Sequence, residues 1–228
     1  MKKAVVLLSG GLDSAVTLYL AQKKFKCLCL IFDYAQRHRK EIQSAKRIVQ
    51  SAKCSYQILK IKLAQHGSSL LDKNVKIPTG NRLSGYPVIR RIPTTYVPAR
   101  NTIFLSFALS YAEAIKAEAI FIGAHAQDYS GYPDCRPDFY RAFAKVIATG
   151  TKTGIEHKNK IEIKTPLILK NKSEIIRLGL NLKVPFELTW SCYQGGRYPC
   201  EKCDSCYFRA KGFRELNIKD PLMRKAHQ

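Results

Sequence analysis

Apolar residues in this chain come in short blocks, and the spacing inside each block separates strand from helix. Ala4 to Leu8 is an unbroken apolar run between Lys3 and Ser9, too short for a helix, and reads as a buried strand. Beyond Ser9-Gly10-Gly11, apolar positions recur with helical spacing at Val16, Leu20 and Phe25, in a run opened by Asp13 and Ser14. Cys27 to Asp33 repeats the strand pattern, a polar helix is expected from about Arg37 to Lys53, and Ser55 to Ile61 alternates enough for a third strand. Further on, Thr102 to Ala117 predicts an apolar helix and Ala119 to Gly123 a fourth buried strand. Asp138 to Ala148 reads as helix, Lys160 to Ile163 as a short strand, and Ile175 to Leu180 as a helix entered through Asn171-Lys172-Ser173-Glu174, all architectural in character. Apolar strands alternating with helices imply right-handed crossovers on a parallel sheet, a doubly wound, Rossmann-like α/β fold that binds ligands beyond the carboxyl ends of its strands.

Leu63 to Thr95 interrupts the pattern with a long connection rich in Gly, Pro, Ser and Asn, a candidate lid in which Gly67, Gly80 and Gly85 would be hinges or turn residues. Asn101, at the start of the apolar helix, is most simply its N-cap, with Arg100 beside it. At 228 residues and 46% apolar content the chain suits one main domain, expected over residues 1–188, with residues 189–228 as a C-terminal segment packed on it. No apolar run approaches the roughly 18 residues of a membrane span, and no signal-peptide pattern follows Met1-Lys2-Lys3, so a cytoplasmic setting is expected.

The formal charge of +22 favours anionic partners, nucleic acid, ATP and small carboxylates among them; the lysines are scattered rather than gathered, so no localised groove follows. Of eight cysteines, Cys192, Cys200, Cys203 and Cys206 crowd together near the C-terminus, a spacing that can close a tetrahedral four-thiolate shell of the kind Zn2+ prefers. The same thiolates would suit an iron–sulfur cluster, or remain reduced. Ala124 to Pro137 is the densest polar stretch, and Asp128, Tyr132, Asp134 and Arg136 within it could recognise a planar heterocycle by hydrogen bonding, stacking and ion pairing. Arg37, leaving the second strand at the same sheet edge, and Arg100 and Asn101 are further candidate contacts. Leu8-Ser9-Gly10-Gly11-Leu12-Asp13-Ser14 is strand, glycine turn and helix start, a phosphate cradle, yet it has neither the Lys-Ser/Thr of a Walker loop nor GxGxxG.

That loop resembles SGGxDS, the pyrophosphate loop of the PP-loop or N-type ATP pyrophosphatases, whose fold is adenine nucleotide alpha-hydrolase-like. Taken with FDYAQRH, VPARN, GAHAQDYSGYPDCRP and TWSCYQGGRYPCEKCDSCYFRA, the chain resembles the 7-cyano-7-deazaguanine synthase family from Ala4 to about Gly212. One departure is visible: His125 stands where Asn is expected. The resemblance implies an ATP-dependent ligase of queuosine biosynthesis that turns 7-carboxy-7-deazaguanine and ammonia into a nitrile, typically as a homodimer. It implies ATP and Mg2+ on Ser9, Gly10, Gly11, Asp13 and Ser14, with Arg100 assisting, and Zn2+ on the four cysteines. No side-chain nucleophile is needed. An alternative is a PP-loop enzyme of the same fold that modifies tRNA or a protein partner.

Overall fold

The computed structural model describes residues 1–64, 66–79, 92–125, 131–156 and 160–223. Its centre is a parallel sheet of five strands, β1 (Lys3–Leu7), β2 (Lys26–Asp33), β3 (Ser55–Lys60), β4 (Ala119–Ile122) and β5 (Glu162–Lys164), in the order β3-β2-β1-β4-β5. The register places Val5 beside Leu28 on one side and Ile120 on the other. The sheet is apolar on both faces because both are covered. Ala4 and Val6 point into one core with α1 (Leu12–Gln22), α2 (Lys40–Ser51), α6 (Lys172–Asn181) and α7 (Asp204–Glu215). Val5 and Leu7 point into the other, with α3 (Arg100–Ala114) and α4 (Pro137–Gly150); α5 (Lys152–Glu156) follows α4. Burial on both faces is why these strands read as continuous apolar runs rather than alternating ones.

Element boundaries shift where local backbone chemistry intervenes. The second helix begins at Lys40, later than the expected Arg37, after a loop in which Ala35 adopts φ 61°. The third helix starts at Arg100, capped in position by Ala99 in the left-handed region at φ 53°, so Asn101 is not the N-cap but the second helical residue. The sixth begins with a capping box, in which Asn171 Oδ1 accepts from the Glu174 N–H at 2.9 Å and Glu174 Oε2 accepts from the Asn171 N–H at 2.8 Å. Helix α7 was not expected from the pattern, since its N-cap is Cys203 and its first turn lies inside the cysteine cluster. Its Phe213 reaches the same core as α1 and α6.

The connection after β3 forms no helix or strand among its described residues, apart from one antiparallel bridge between Thr79 and Cys203. Gly67 lies there at φ +87°, while Gly80 and Gly85 fall outside the described residues.

Candidate active site

The strand order reverses direction between β1 and β4, and a crevice opens there at the carboxyl ends. A cavity of about 310 Å3 fills it, walled by the ends of β1 (Leu7, Leu8), β2 (Phe32, Tyr34) and β4 (Ile122 to His125). Ser9, Gly11, Leu12, Asp13 and Ser14 form its floor.

The floor is held in shape from within and from outside. Gly10 has φ +88°, and a Cβ there would lie 2.1 Å from the Glu41 carbonyl oxygen, so the close approach of α2 admits only glycine. The Gly11 N–H donates to Ser9 Oγ at 3.2 Å, Ser9 Oγ to Ser14 Oγ at 3.0 Å, and Ser14 Oγ to the Gly11 carbonyl at 3.0 Å. Helix α1 has no side-chain cap, which leaves its positive end facing the cavity for an anion. From the C-terminal segment, the Trp190 N–H donates to the Gly10 carbonyl at 2.9 Å.

Asp13 does not stand alone. Lys172 Nζ lies 2.9 and 3.0 Å from its two oxygens and 3.0 Å from His125 Nε2, and that nitrogen is 3.4 Å from Asp13 Oδ2. Burial by itself would raise the Asp13 pKa, but Lys172 and His125 outweigh it and hold the carboxyl below the usual range. Across the cavity Arg100 is surrounded by Tyr34, Tyr132, Cys135 and Asp134. Glu41 also faces the cavity; burial pushes its pKa up to about 7 even against the pull of Arg100, so that at neutral pH only part of its negative charge opposes an anion there.

The candidate substrate residues divide. Arg100, Asn101 and Tyr132 line the cavity, with Tyr132 Oη donating to Thr95 Oγ1 at 2.6 Å. Asp134 is buried behind them, its carboxylate accepting from the Asn101 N–H at 3.1 Å while Asn101 Nδ2 donates to the Asp134 carbonyl at 3.0 Å. Arg136 is exposed at the N-cap of α4. Arg37 donates to the carbonyls of Asp72, Lys73 and Val75 at 2.8–2.9 Å, pinning the long connection. Asp128 lies outside the described residues. The sequence pattern alone did not single out Lys172, Glu41, Trp190, Tyr193 or Arg209, all of which line the cavity.

Beside this site the sulfurs of Cys192, Cys200, Cys203 and Cys206 lie within 4.8 Å of one another. A tetrahedral zinc with Zn–S of about 2.3 Å needs sulfurs about 3.8 Å apart, so the set fits the ion. Backbone N–H groups already point at the thiolates: Gln194 and Cys200 donate to Cys192 Sγ at 3.4 and 3.3 Å, and Cys203 to Cys200 Sγ at 3.4 Å. Hydrogen bonds from Cys203 and Cys206 hold the Cys192 thiol well below its ordinary pKa, and the same contacts raise Cys203 and Cys206, so the first negative charge of the cluster settles on Cys192. Ile77, from the long connection, and Trp190 pack on the cluster.

The sequence profile of queuosine biosynthesis protein QueC matches residues 3–217. The chain belongs to the QueC family. A 7-cyano-7-deazaguanine synthase of Thermoplasma volcanium is 48% identical over 97% of this chain and 90% of its own length. One of Nostoc punctiforme is 51% identical over 97% of this chain and 99% of its own. Among solved structures, NMN synthetase from Francisella tularensis shares the fold at a TM-score of 0.50 and 16% identity, covering 96% of this chain and 78% of that one. QueC membership and the switch-point cavity therefore coincide in one parallel α/β fold.

Proposed function

We propose that this chain is a 7-cyano-7-deazaguanine synthase, an ATP-dependent ligase that converts 7-carboxy-7-deazaguanine and ammonia into the nitrile and releases AMP and pyrophosphate. The observation that carries the reading is the floor of the cavity: the turn from Ser9 to Ser14 with Asp13 and Lys172 on one side and Arg100 on the other. Identity of 48–51% along nearly the whole chain to proteins of that name supports it.

A carboxylate is a poor electrophile until one of its oxygens belongs to a better leaving group. The substrate carboxylate attacks the α-phosphorus of ATP, and pyrophosphate leaves. Ammonia then adds to the carboxyl carbon, AMP departs with the C–O bonding pair, a proton is lost, and the primary amide remains. In a second round the amide oxygen attacks the α-phosphorus of another ATP and pyrophosphate leaves again. Departure of AMP with that oxygen, and loss of both N–H protons, leaves the carbon–nitrogen triple bond.

The chain's part is positioning and charge. The N–H groups of the turn and the uncapped end of α1 grip the pyrophosphate, and Ser9 and Ser14 offer hydroxyls to it. Arg100 takes the substrate carboxylate or a phosphate oxygen through its fork, and Asn101 and Tyr132 line the deazapurine end. Asp13 is the group suited to hold Mg2+, which when bound neutralises charge on the leaving pyrophosphate. The four cysteines would hold Zn2+, and with every position taken by a thiolate the ion would supply cross-linking and no chemistry. A cytoplasmic homodimer, with residues 1–188 as the catalytic unit and 189–228 packed on it, belongs to the same proposal.

The formal charge of +22 favours a second reading, an adenylating enzyme of this fold that acts on tRNA or a protein partner. Nucleotide analysis with the free deazapurine acid separates the two. AMP and pyrophosphate formed in step with the acid are expected; ADP with phosphate, or turnover only on addition of tRNA, contradicts the first reading.

A further inference from the structure

Among the cations that line the cavity, Lys172 is aimed at the aspartate of the phosphate turn. The capping box fixes it as the first residue of α6, 159 positions from the aspartate it meets. Its aliphatic stem runs across Gly212 of α7, where an added Cβ would come within 2.7 Å of Lys172 Cγ and 2.8 Å of Ile176 Cδ1. Its side chain is only 13% exposed, and those of Asp13 and His125 are 25% and 14% exposed. The ammonium therefore meets the phosphate turn through Asp13 and the end of β4 through His125. A surface lysine in a basic chain needs none of this.

We propose that Lys172 is a catalytic residue of adenylation, its ammonium bearing on a non-bridging oxygen of the α-phosphate, with Asp13 and His125 as the partners that orient it. The inference rests on the adenylation reading above. When the acyl oxygen bonds to phosphorus and the bond to the pyrophosphate oxygen breaks, negative charge gathers on the equatorial α-phosphoryl oxygens, and a fixed, poorly hydrated cation there stabilises the transition state more than the bound ATP. His125 steadies the ammonium, its Nε2 lying 3.0 Å from Lys172 Nζ, a contact that ties the end of β4 to the start of α6.

The test is ATP–pyrophosphate exchange dependent on 7-carboxy-7-deazaguanine, run with wild type, Lys172→Met and Lys172→Arg, together with ATP affinity and melting temperature. Lys172→Met should lose about 100-fold or more in exchange rate while ATP affinity changes only a few-fold, and Lys172→Arg should recover part of the loss. Should methionine unfold the protein by leaving Asp13 without its cation, Lys172→Gln keeps a donor for Asp13 and serves in its place. Sulfur at the contacted α-phosphoryl oxygen should slow wild type with one diastereomer, and that penalty should vanish in the variants. Wild-type exchange with an unchanged variant, a loss that falls equally on ATP binding, or the same sulfur penalty in wild type and variants would each overturn the lysine's role alone. Absence of exchange in the wild type would overturn the adenylation reading and the proposal with it.

Discussion

Asp13 sits where a first-turn carboxylate faces the positive end of its own helix, and Lys172 at the start of α6 and His125 just beyond β4 meet it. Asp13→Asn should reduce AMP release on the order of a hundredfold, as the loss of a single preorganised electrostatic group does, and should also lower the melting temperature, because it leaves the Lys172 ammonium without its counter-charge. Turnover indistinguishable from wild type would remove Asp13 from the site. The place of the Ser9 to Ser14 turn at the cavity floor could be read from the sequence because such a turn is local: its glycines, hydroxyls and carboxylate are neighbours in the chain. Lys172 could not be read in this way. Its position reads first as part of a helix cap, which it is, and nothing in the local pattern announces a partner 159 residues away. Asp134 and Arg37 show the converse, being polar residues in promising loops that turn to serve backbone groups: Asp134 accepts from the Asn101 N–H, and Arg37 donates to three carbonyls of the long connection.

At the scale of elements, the strands were legible because both faces of the sheet are buried, which erases alternation and leaves plain apolar runs. Helix α7 was hidden by its own start among cysteines and charged residues, yet it links the thiolate cluster to the catalytic cavity. Its Arg209 is 2% exposed and donates to Asp220 at 2.7 and 2.9 Å, to Thr189 Oγ1 at 2.6 Å and to the Phe186 carbonyl at 3.1 Å. Arg209→Ala strands the Asp220 carboxylate in the interior and should cost about 3–5 kcal/mol of stability, read as a lowered urea midpoint; a change under about 1 kcal/mol would show that water reaches Asp220 instead. The purified protein should carry one zinc per chain, and Cys203→Ser should lower melting temperature and solubility before any catalytic step, because Cys203 belongs to the four-cysteine cluster and is also the N-cap of α7. Stoichiometric iron, or a metal-free protein of full stability and turnover, would contradict a structural zinc.

For the whole molecule, doubly wound topology puts the phosphate turn, Arg100 and the thiolate cluster around one crevice, although they are far apart in sequence. Fold class followed from the order of apolar blocks. The meaning of the charge did not follow, because an excess of lysine sets a field without naming what the field attracts. If the scattered lysines make only nonspecific contacts, filter binding with tRNA should be weak at physiological salt and fall further as salt rises. Nanomolar binding that survives added salt would favour the RNA-directed reading. The most direct test of the central claim is mass spectrometry of a reaction containing the protein, ATP, 7-carboxy-7-deazaguanine and isotopically labelled ammonia. The expected result is a nitrile carrying the labelled nitrogen, preceded by the labelled amide, with AMP and pyrophosphate in step; an unaltered acid under conditions where the folded, metal-loaded protein binds ATP would contradict it.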